Sequence, residues 1–561
     1  MTPGTDRDAS GAQWVYLLDG AQNLSRELIG GKAWSINWMR SLGMPVPPAA
    51  TLCTDAYAHY EQTGALPDPI WRQIVDAVAH LESVTGRTFG AGPRPLLVSV
   101  RSGAAESMPG MMDTVLNLGI NSQTCQSLAE ESGDPDFATR TLALFQNQYR
   151  DIILGSTDGD VPEDVWQQLR GAVEAVLASW QSPRAKAYRD HYDITELKGT
   201  SVTVQAMVFG NLDEQSGSGV LFTRNPGTGS KEPYGQWLPR AQGEDIVSGR
   251  MTPEPIATLE QKLPDQHRQL LELAGTLERT AGNVQDIEFT IEHGNLWLLQ
   301  ARNAKRSPRA AVDFAVQLCE EGLIDEREAL ARVTPEQVRQ LLKPGLDPAA
   351  VQSAAIFATG EPACPGIASG VVVSSADEAV DREEEGVVLA RPTTSPDDIH
   401  GMLSARAIVT ELGGATSHAA VVSREIGVPC VVGCGRDTLS PLRGQTVTVD
   451  GNSGDIYQGA LPVVQFDESA DPVLATLIRW AESLCPIEVS GLESPKYDQA
   501  TDIGPLAHDL EQKLAGVENA RGSALESNDG IRLAVDAGLK HIFVRHRLPA
   551  MLAAIMTHDK R

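Results

Sequence analysis

The sequence predicts an α/β multidomain protein, and three observations carry that prediction. Strand-like and helix-like stretches alternate from about 14 to 305, the pattern of a mixed α/β unit. Short β runs follow between Ile356 and Gly459: "SGVVVSS", "GVVLAR", "RAIVTE", "PCVVG" and "QTVTVD", with few helices between them. The length, 561 residues, exceeds what a single core sustains, so about three or four domains are expected.

The net charge of −28 argues against nonspecific nucleic-acid or anionic-membrane binding. It leaves room for an anionic substrate, because a local cluster of Arg and Lys can override the mean field. Hydrophobic residues make up 42% and charged residues 21%, an ordinary globular composition. The seven cysteines are scattered, with only Cys430 and Cys434 close together. That is neither a disulfide framework nor a zinc pattern, and a reducing, cytoplasmic setting is expected. The opening "MTPGTDRDASGAQWVYLLDG" lacks a signal-peptide pattern, and no apolar run is long enough to cross a bilayer.

Along the chain, "LIGGKA" offers Gly30, Gly31 and Lys32 without the spacing of a Walker A loop. "LLVSVRSGAAESMPGMMDTVLNLG" opens with a buried strand that delivers Arg101 into a loop of small residues containing Met108, Pro109 and Gly110. Such a loop can grip a phosphate, since backbone N–H groups approach closely. "AQGEDIVSG" is a further polar Gly loop, ambiguous alone.

"VQDIEFTIEHGNLWLLQARNAKR" reads as two strands joined by the turn "EHGN". Period 2 puts Asp286 and Glu288 on one face of the first strand and Gln300 and Arg302 on one face of the second. Two carboxylates, an amide and a guanidinium can hold Mg²⁺ and nucleotide phosphates; the solvated face of an edge hairpin explains the pattern equally well. "DEREALARVTPEQVRQLLKPGLDPAA", Asp325 to Ala350, reads as a helical linker and not a core.

In "ELGGATSHAAVVSREIGVPCVVG", a glycine turn follows the strand "RAIVTE", and Thr416 or Ser417 caps a helix. His418 then falls in the first helical turn, where the free N–H groups and the dipole disfavour imidazolium and favour an anion. Both effects suit a neutral nucleophile that afterwards carries a phosphoryl group, and Ala415, Ala419 and Ala420 leave the ring uncrowded. A capping or half-buried histidine satisfies the same spacing. A metal ligand is less favoured, because no partner stands at i+3 or i+4.

Together the stretches "SVRSGAAESMPGMMDTVLNLG", "SGVLFTRNPGTG", "AQGEDIVSG", "QDIEFTIEHGNLWLLQARNAKR" and "GGATSHAAVV" resemble the signatures of the pyruvate, phosphate dikinase family, in the family's order. The similarity runs from Trp14 to near Leu461. It implies an ATP-grasp-type nucleotide-binding domain with a helical linker over 1–345, and a swivelling phosphohistidine domain over 346–460. By motif, His418 is the phosphoryl carrier. Lys32, Arg101, Asp286, Glu288, Gln300 and Arg302 bind ATP, with Asp286 and Glu288 on Mg²⁺. Thr416 matches the position modified in regulated plant members.

Four departures stand out. The segment between "FQNQYRDIILG" and "SWQSPRAKAYRDHYDI" is short; Ala143 and Leu144 replace two arginines; Leu412 replaces a common arginine. The family's acceptor (β/α)₈ barrel needs about 200 residues or more. Residues 461–561 are expected instead to form a short, mostly helical region with one βα-like piece, "GLKHIFVRHRLPAMLAAIM". In "KHIFVRHRLPAM" the basic residues Lys540, Arg545, His546 and Arg547 are either a solvated helix start or an anion- or partner-binding patch.

The resemblance implies an ATP-dependent phosphotransferase whose acceptor is pyruvate or phosphoenolpyruvate, handled by a separate acceptor-domain protein or the C-terminal region, or another small molecule. A dedicated small-molecule kinase of the rifampicin-phosphorylating or phenylphosphate-forming kind is the alternative, as is a regulatory phosphocarrier. Retention of Lys32, Arg101, Glu288, Gln300 and His418 opposes an inactive remnant. Neither nucleic acid nor membrane is expected as a partner, and a homodimer is compatible with the sequence.

Overall fold

The computed structural model describes residues 12–105, 108, 111–191, 194, 197, 199–243, 252–342, 345–464, 468–507 and 510–559. Pro109, Gly110 and most of "AQGEDIVSG" lie outside the described residues. The chain is a mixed α/β multidomain protein with four main sheets.

The first two sheets are five-stranded and antiparallel. One holds Val98–Gly103 between Ser201–Ala206 and Thr114–Leu118. The other runs Glu254–Pro255, Tyr234–Pro239, Gly217–Phe222, Gln285–Glu292 and Asn295–Asn303. The helix Arg26–Ser41 is wedged between them. Its apolar side, Ile29, Ala33, Ile36 and Met39, packs with Ile287, Phe289 and Leu298 of the second sheet. Ser35 ties it further, donating to the Ala301 carbonyl at 2.6 Å and accepting the Ala301 N–H at 2.9 Å.

The third sheet has eight strands and mixed pairing. Its parallel core is Ile367–Val373, Val387–Arg391, Ala407–Thr410 and Cys430–Val432. Glu361–Cys364 closes the edge beside Cys430–Val432.

In residues 461–561 helices predominate, as expected. The region also contains a parallel four-stranded sheet, in the order Glu488–Ser490, His541–Phe543, Asn519–Arg521, Thr501–Asp502. The sequence reading foresaw only the last of its βα pieces, because the strands are two or three residues long and carry little periodicity.

The expectation of a helical linker without a core is corrected. Ala329, Leu330, Val333, Val338 and Leu342 are buried in one cluster with Leu474, Leu477, Trp480, Leu548 and Leu552. Two caps define its helices: Asp325 accepts the Glu328 N–H at 2.7 Å, and Thr334 and Gln337 form a capping box. The charged residues occupy the outer face and mask a continuous apolar one.

Two of the four basic side chains in the tail's cluster, Lys540 and Arg547, are paired within the chain. Lys540 pairs with Glu518 at 2.6 Å and Arg547 with Glu482, while Glu468 accepts the backbone N–H groups of Arg547 and Leu548. This carboxylate seals the helix start that was expected to be solvated or anion-binding.

Because Leu477 is fully buried there, Leu477→Ala should cost about 2–5 kcal/mol, read as a lower urea midpoint. A chain ending at Ala460 should bind a hydrophobic dye that the full chain does not, because the 326–342 helices lose their cover.

Candidate functional site

Lys32 and Arg101 come together because two glycines let a helix touch a strand end. Ser25 caps the helix, accepting the Leu28 N–H at 3.3 Å. At Gly30 the backbone leaves helical geometry, with φ +77°. A Cβ there would stand 2.1 Å from the Gly103 carbonyl oxygen, so only glycine fits. The Gly31 N–H donates to the Ala104 carbonyl at 2.8 Å. The lysine side chain therefore starts beside the end of the Arg101 strand. Burial, chiefly, and the Arg101 guanidinium push its ammonium down to about 8, with Glu288 opposing and Arg302 adding to the shift.

The hairpin faces this pair. Asp286 lies opposite Arg302 and Glu288 opposite Gln300, because the register shifts by one residue between Glu288 and Phe289. Its turn residues His293 and Gly294 have φ of +48° and +73°, the left-handed values of a two-residue hairpin turn. Arg302 Nε donates to Asp286 Oδ2 at 2.8 Å. Asp286 and, next, burial act in opposite senses on Arg302, and the carboxylate wins, holding the guanidinium charged. Asp286 is 4% exposed and Gln300 8%, which excludes the solvated-face reading. Asp286 Oδ1 and Arg101 Nε are buried without a protein partner. Three cations thus meet two carboxylates, and two polar atoms are left over.

His418 is the first residue of the helix His418–Ile426. Ser417 is the N-cap residue but its hydroxyl makes no cap bond. Gly413 takes φ +102° in the turn. The ring's Nδ1 lies 3.2 Å from Thr394 Oγ1, and its Nε2 is buried with no partner. Burial lowers the imidazole's pKa, with Asp398 opposing. The ring is therefore neutral at pH 7, for a reason beyond the helix terminus that the sequence reading invoked.

His418 and Glu425, seven apart, share a face of their helix. Glu425 pairs with Lys305, accepts the Tyr188 hydroxyl at 3.0 Å and acts electrostatically on Arg302. At the helix start, Thr416 Oγ1 donates to Gln236 Oε1 at 3.1 Å. The histidine's helix is thus seated against the sheet that carries the hairpin. Sequence reasoning missed Thr394, Asp398, Gln236 and Glu425. The first two sit in "PTTSPDD", whose Ser-Pro-Asp-Asp cap could have been noticed, and the others have no local signal.

A cation-rich pocket between two antiparallel sheets, with a neutral histidine seated against one of them, has the chemistry of a site that holds a polyanion beside a nucleophile. Residues 63–264 and 258–321 match the pyruvate phosphate dikinase AMP/ATP-binding domain, and 383–454 match the mobile domain of PEP-utilising enzymes. The chain is 41% identical over 547 residues to pyruvate, phosphate dikinase of Rhizobium meliloti (strain 1021), covering 84% of this chain and 60% of that one. It is 39% identical over 537 residues to that of Clostridium symbiosum (85% and 61%), and 39% over 528 residues to pyruvate, phosphate dikinase 2 of Zea mays (84% and 60%). The chain belongs to the pyruvate, phosphate dikinase family and spans about three fifths of the length of these relatives. No helix among the described residues is long and apolar enough to cross a membrane.

Since Lys32 sits near 8, it should acylate at pH 8 faster than the surface lysines. A bound polyphosphate would raise its pKa and protect it. Mass-spectrometric labelling with and without ATP checks this: equal Lys32 labelling in both samples contradicts the assigned pocket.

Proposed function

We propose that the chain transfers a phosphoryl group from ATP to His418 and then to an acceptor. The single observation that carries this reading is His418 Nε2, buried and unpartnered on a neutral ring whose other nitrogen is engaged by Thr394. With Nδ1–H donating to Thr394, the Nε2 lone pair is free to attack phosphorus. The N–P bond forms as the P–O bond to the nucleotide breaks, and the electron pair leaves on the nucleotide oxygen.

Lys32, Arg101, Arg302 and Gln300 would hold the phosphates, for which the excess of cations and the unsatisfied Arg101 Nε supply the fit. No group of three or more His, Cys, Asp or Glu among the described residues could hold a metal alone. Asp286 and Glu288 would therefore hold Mg²⁺ jointly with the nucleotide phosphates, the usual arrangement for this cation. Bound Mg²⁺ would neutralise charge on the transferring group.

On this reading residues 1–345 are the nucleotide-binding domain with its helical extension, 346–460 the swivelling histidine domain and 461–561 a C-terminal module on the first. The acceptor is pyruvate or phosphoenolpyruvate, met through a separate acceptor-domain protein, or another small molecule. The protein acts in the cytoplasm.

Incubation with Mg²⁺ and ATP labelled at the β and γ phosphates should give an acid-labile, base-stable phosphoprotein, and His418→Ala should abolish it. Persistence of label in that variant would remove His418 from the mechanism. Glu288→Ala and Arg302→Ala should each slow labelling by about 10² to 10³.

The pH dependence follows from His418's lowered pKa. Burial lowers the His418 pKa from the ordinary 6.5, so the acid-side fall in labelling should have its midpoint below 6.5. Unfolded imidazole binds its proton first as pH drops, so His418 subtracts stability below about 6.5.

A further inference from the structure

Glu361 lies at the edge of the eight-stranded sheet, on the strand Glu361–Cys364, and plays no part in the chemistry above. Its carboxylate gathers donors from the second sheet and from the loop before His418. Tyr234 donates its hydroxyl to Oε1, and Gln236 donates through Nε2 to Oε2 at 3.2 Å; both come from the strand Tyr234–Pro239. The third donor is the Ala415 N–H, 3.0 Å from Oε2, three residues before His418. Gln236 then turns its amide oxygen to the Thr416 hydroxyl. One carboxylate and one amide so bind two consecutive residues of the histidine loop to the nucleotide-side sheet.

The loop is shaped for this approach. A Cβ at Gly414 would stand 2.4 Å from Gln236 Nε2, so the second glycine of the pair leaves room for the amide. Arg424, buried in the same helix, donates to the Ala415 and Ala363 carbonyls and lies 5.8 Å from the Phe222 ring centroid. The strand bearing Glu361, the loop and the helix therefore meet the second sheet as one braced unit.

We propose that Glu361 is the positioning residue that seats His418 for phosphorylation, acting through Gln236 and Tyr234 and not touching the nucleotide. An acceptor is needed at this point, because all three neighbours present hydrogens to it; burial raises the carboxyl's pKa, and the Ala415 N–H and Arg424 oppose that. Glu361→Gln keeps the size but brings an NH₂ against donors, so the seat loosens while each sheet keeps its own core. The phosphohistidine must later leave for its acceptor, and a seat made of a few polar bonds can open where an apolar interface of the same area would not.

The inference rests on the His418 phosphotransfer reading, and two measurements keep the two apart. In the first, Glu361→Gln should label His418 about 10- to 100-fold more slowly than the unaltered chain at saturating ATP, as a small misplacement of a reacting group predicts. The ATP concentration for half-maximal rate should stay unchanged. Labelling at the unaltered rate, or a slowing that extra ATP restores, overturns the assignment. In the second, small-angle X-ray scattering of the nucleotide-free protein should give a larger radius of gyration for Glu361→Gln than for the unaltered chain, with equal thermal midpoints. Identical scattering profiles overturn the seat even if no phosphotransfer is ever seen. If the unaltered chain fails to label while the scattering difference holds, the seat stands and the phosphotransfer reading falls.

Discussion

The site depends on an electrostatic imbalance that the fold holds in place. Arg101 and Arg302 lie close enough to act on Lys32, and Glu288 does not offset them and the burial combined; Asp286 is taken up by Arg302. A buried ammonium forced down to about 8 is a cost to the folded chain. That cost is tolerated because the wedge helix is held by interactions of another kind. The Gly30 kink, the Gly31 contact to Ala104, the two bonds of Ser35 to Ala301 and the apolar packing on Phe289 leave Lys32 nowhere else to go. Neutralising Lys32 by mutation would relieve the fold and remove the reason for an anion to bind.

A second requirement pulls against the first. On the proposed phosphotransfer the histidine must come near this positive pocket to meet a phosphate, yet a protonated imidazole there would be both repelled and unreactive. The structure meets it by burying the ring, which keeps it neutral, and by taking up Nδ1 with Thr394. The helix N-terminus adds in the same direction and becomes an advantage once the group carried is anionic. The contacts that bring the helix in are made elsewhere, by Glu425 on Lys305 and Tyr188 and by Thr416 on Gln236. Approach and chemistry are thus assigned to different residues on one helix.

What could be read from the sequence divides along the same line. Alternation is a local property of a strand, so the shared faces were legible, Asp286 with Glu288 and Gln300 with Arg302; their pairing across the hairpin was not, because it depends on a register shift between Glu288 and Phe289. Gly413 and His418 were legible because a turn and a helix start leave local marks. Lys32 with Arg101 was half legible, since each stretch looked like a phosphate grip but nothing local says that a helix is wedged between two sheets. Glu361, Gln236 and Glu425 were not legible at all. They lie far apart in sequence, and an isolated Glu or Gln in a strand reads as an edge residue. The helices of 325–342 failed for a different reason: their charge was counted, and the apolar face behind it, Ala329, Leu330, Val333 and Val338, belongs to a core completed only by residues after Asp471.

Clustered basic residues in an acidic chain invite one interpretation, and two clusters here show why it cannot be applied uniformly. Near the C-terminus Lys540 has Glu518, Arg547 has Glu482, and the helix start has Glu468, whose carboxylate fills the place an outside anion would take. The apolar core holds the C-terminal sheet and its last helix together, and at that helix start an added anion would have to displace the Glu468 carboxylate already tethered there. At the nucleotide-side pocket the carboxylates are fewer than the cations, and Arg101 Nε and Asp286 Oδ1 have no protein partner. Because an unmade bond at a buried polar atom costs about 1–3 kcal/mol, the two pockets differ in what they gain from a polyphosphate with its metal. The first gains nothing it does not already have, and the second gains a partner for each unsatisfied group. The same residue types therefore brace one end of the chain and leave the other ready to bind, and the difference lies in whether the chain supplies its own acid.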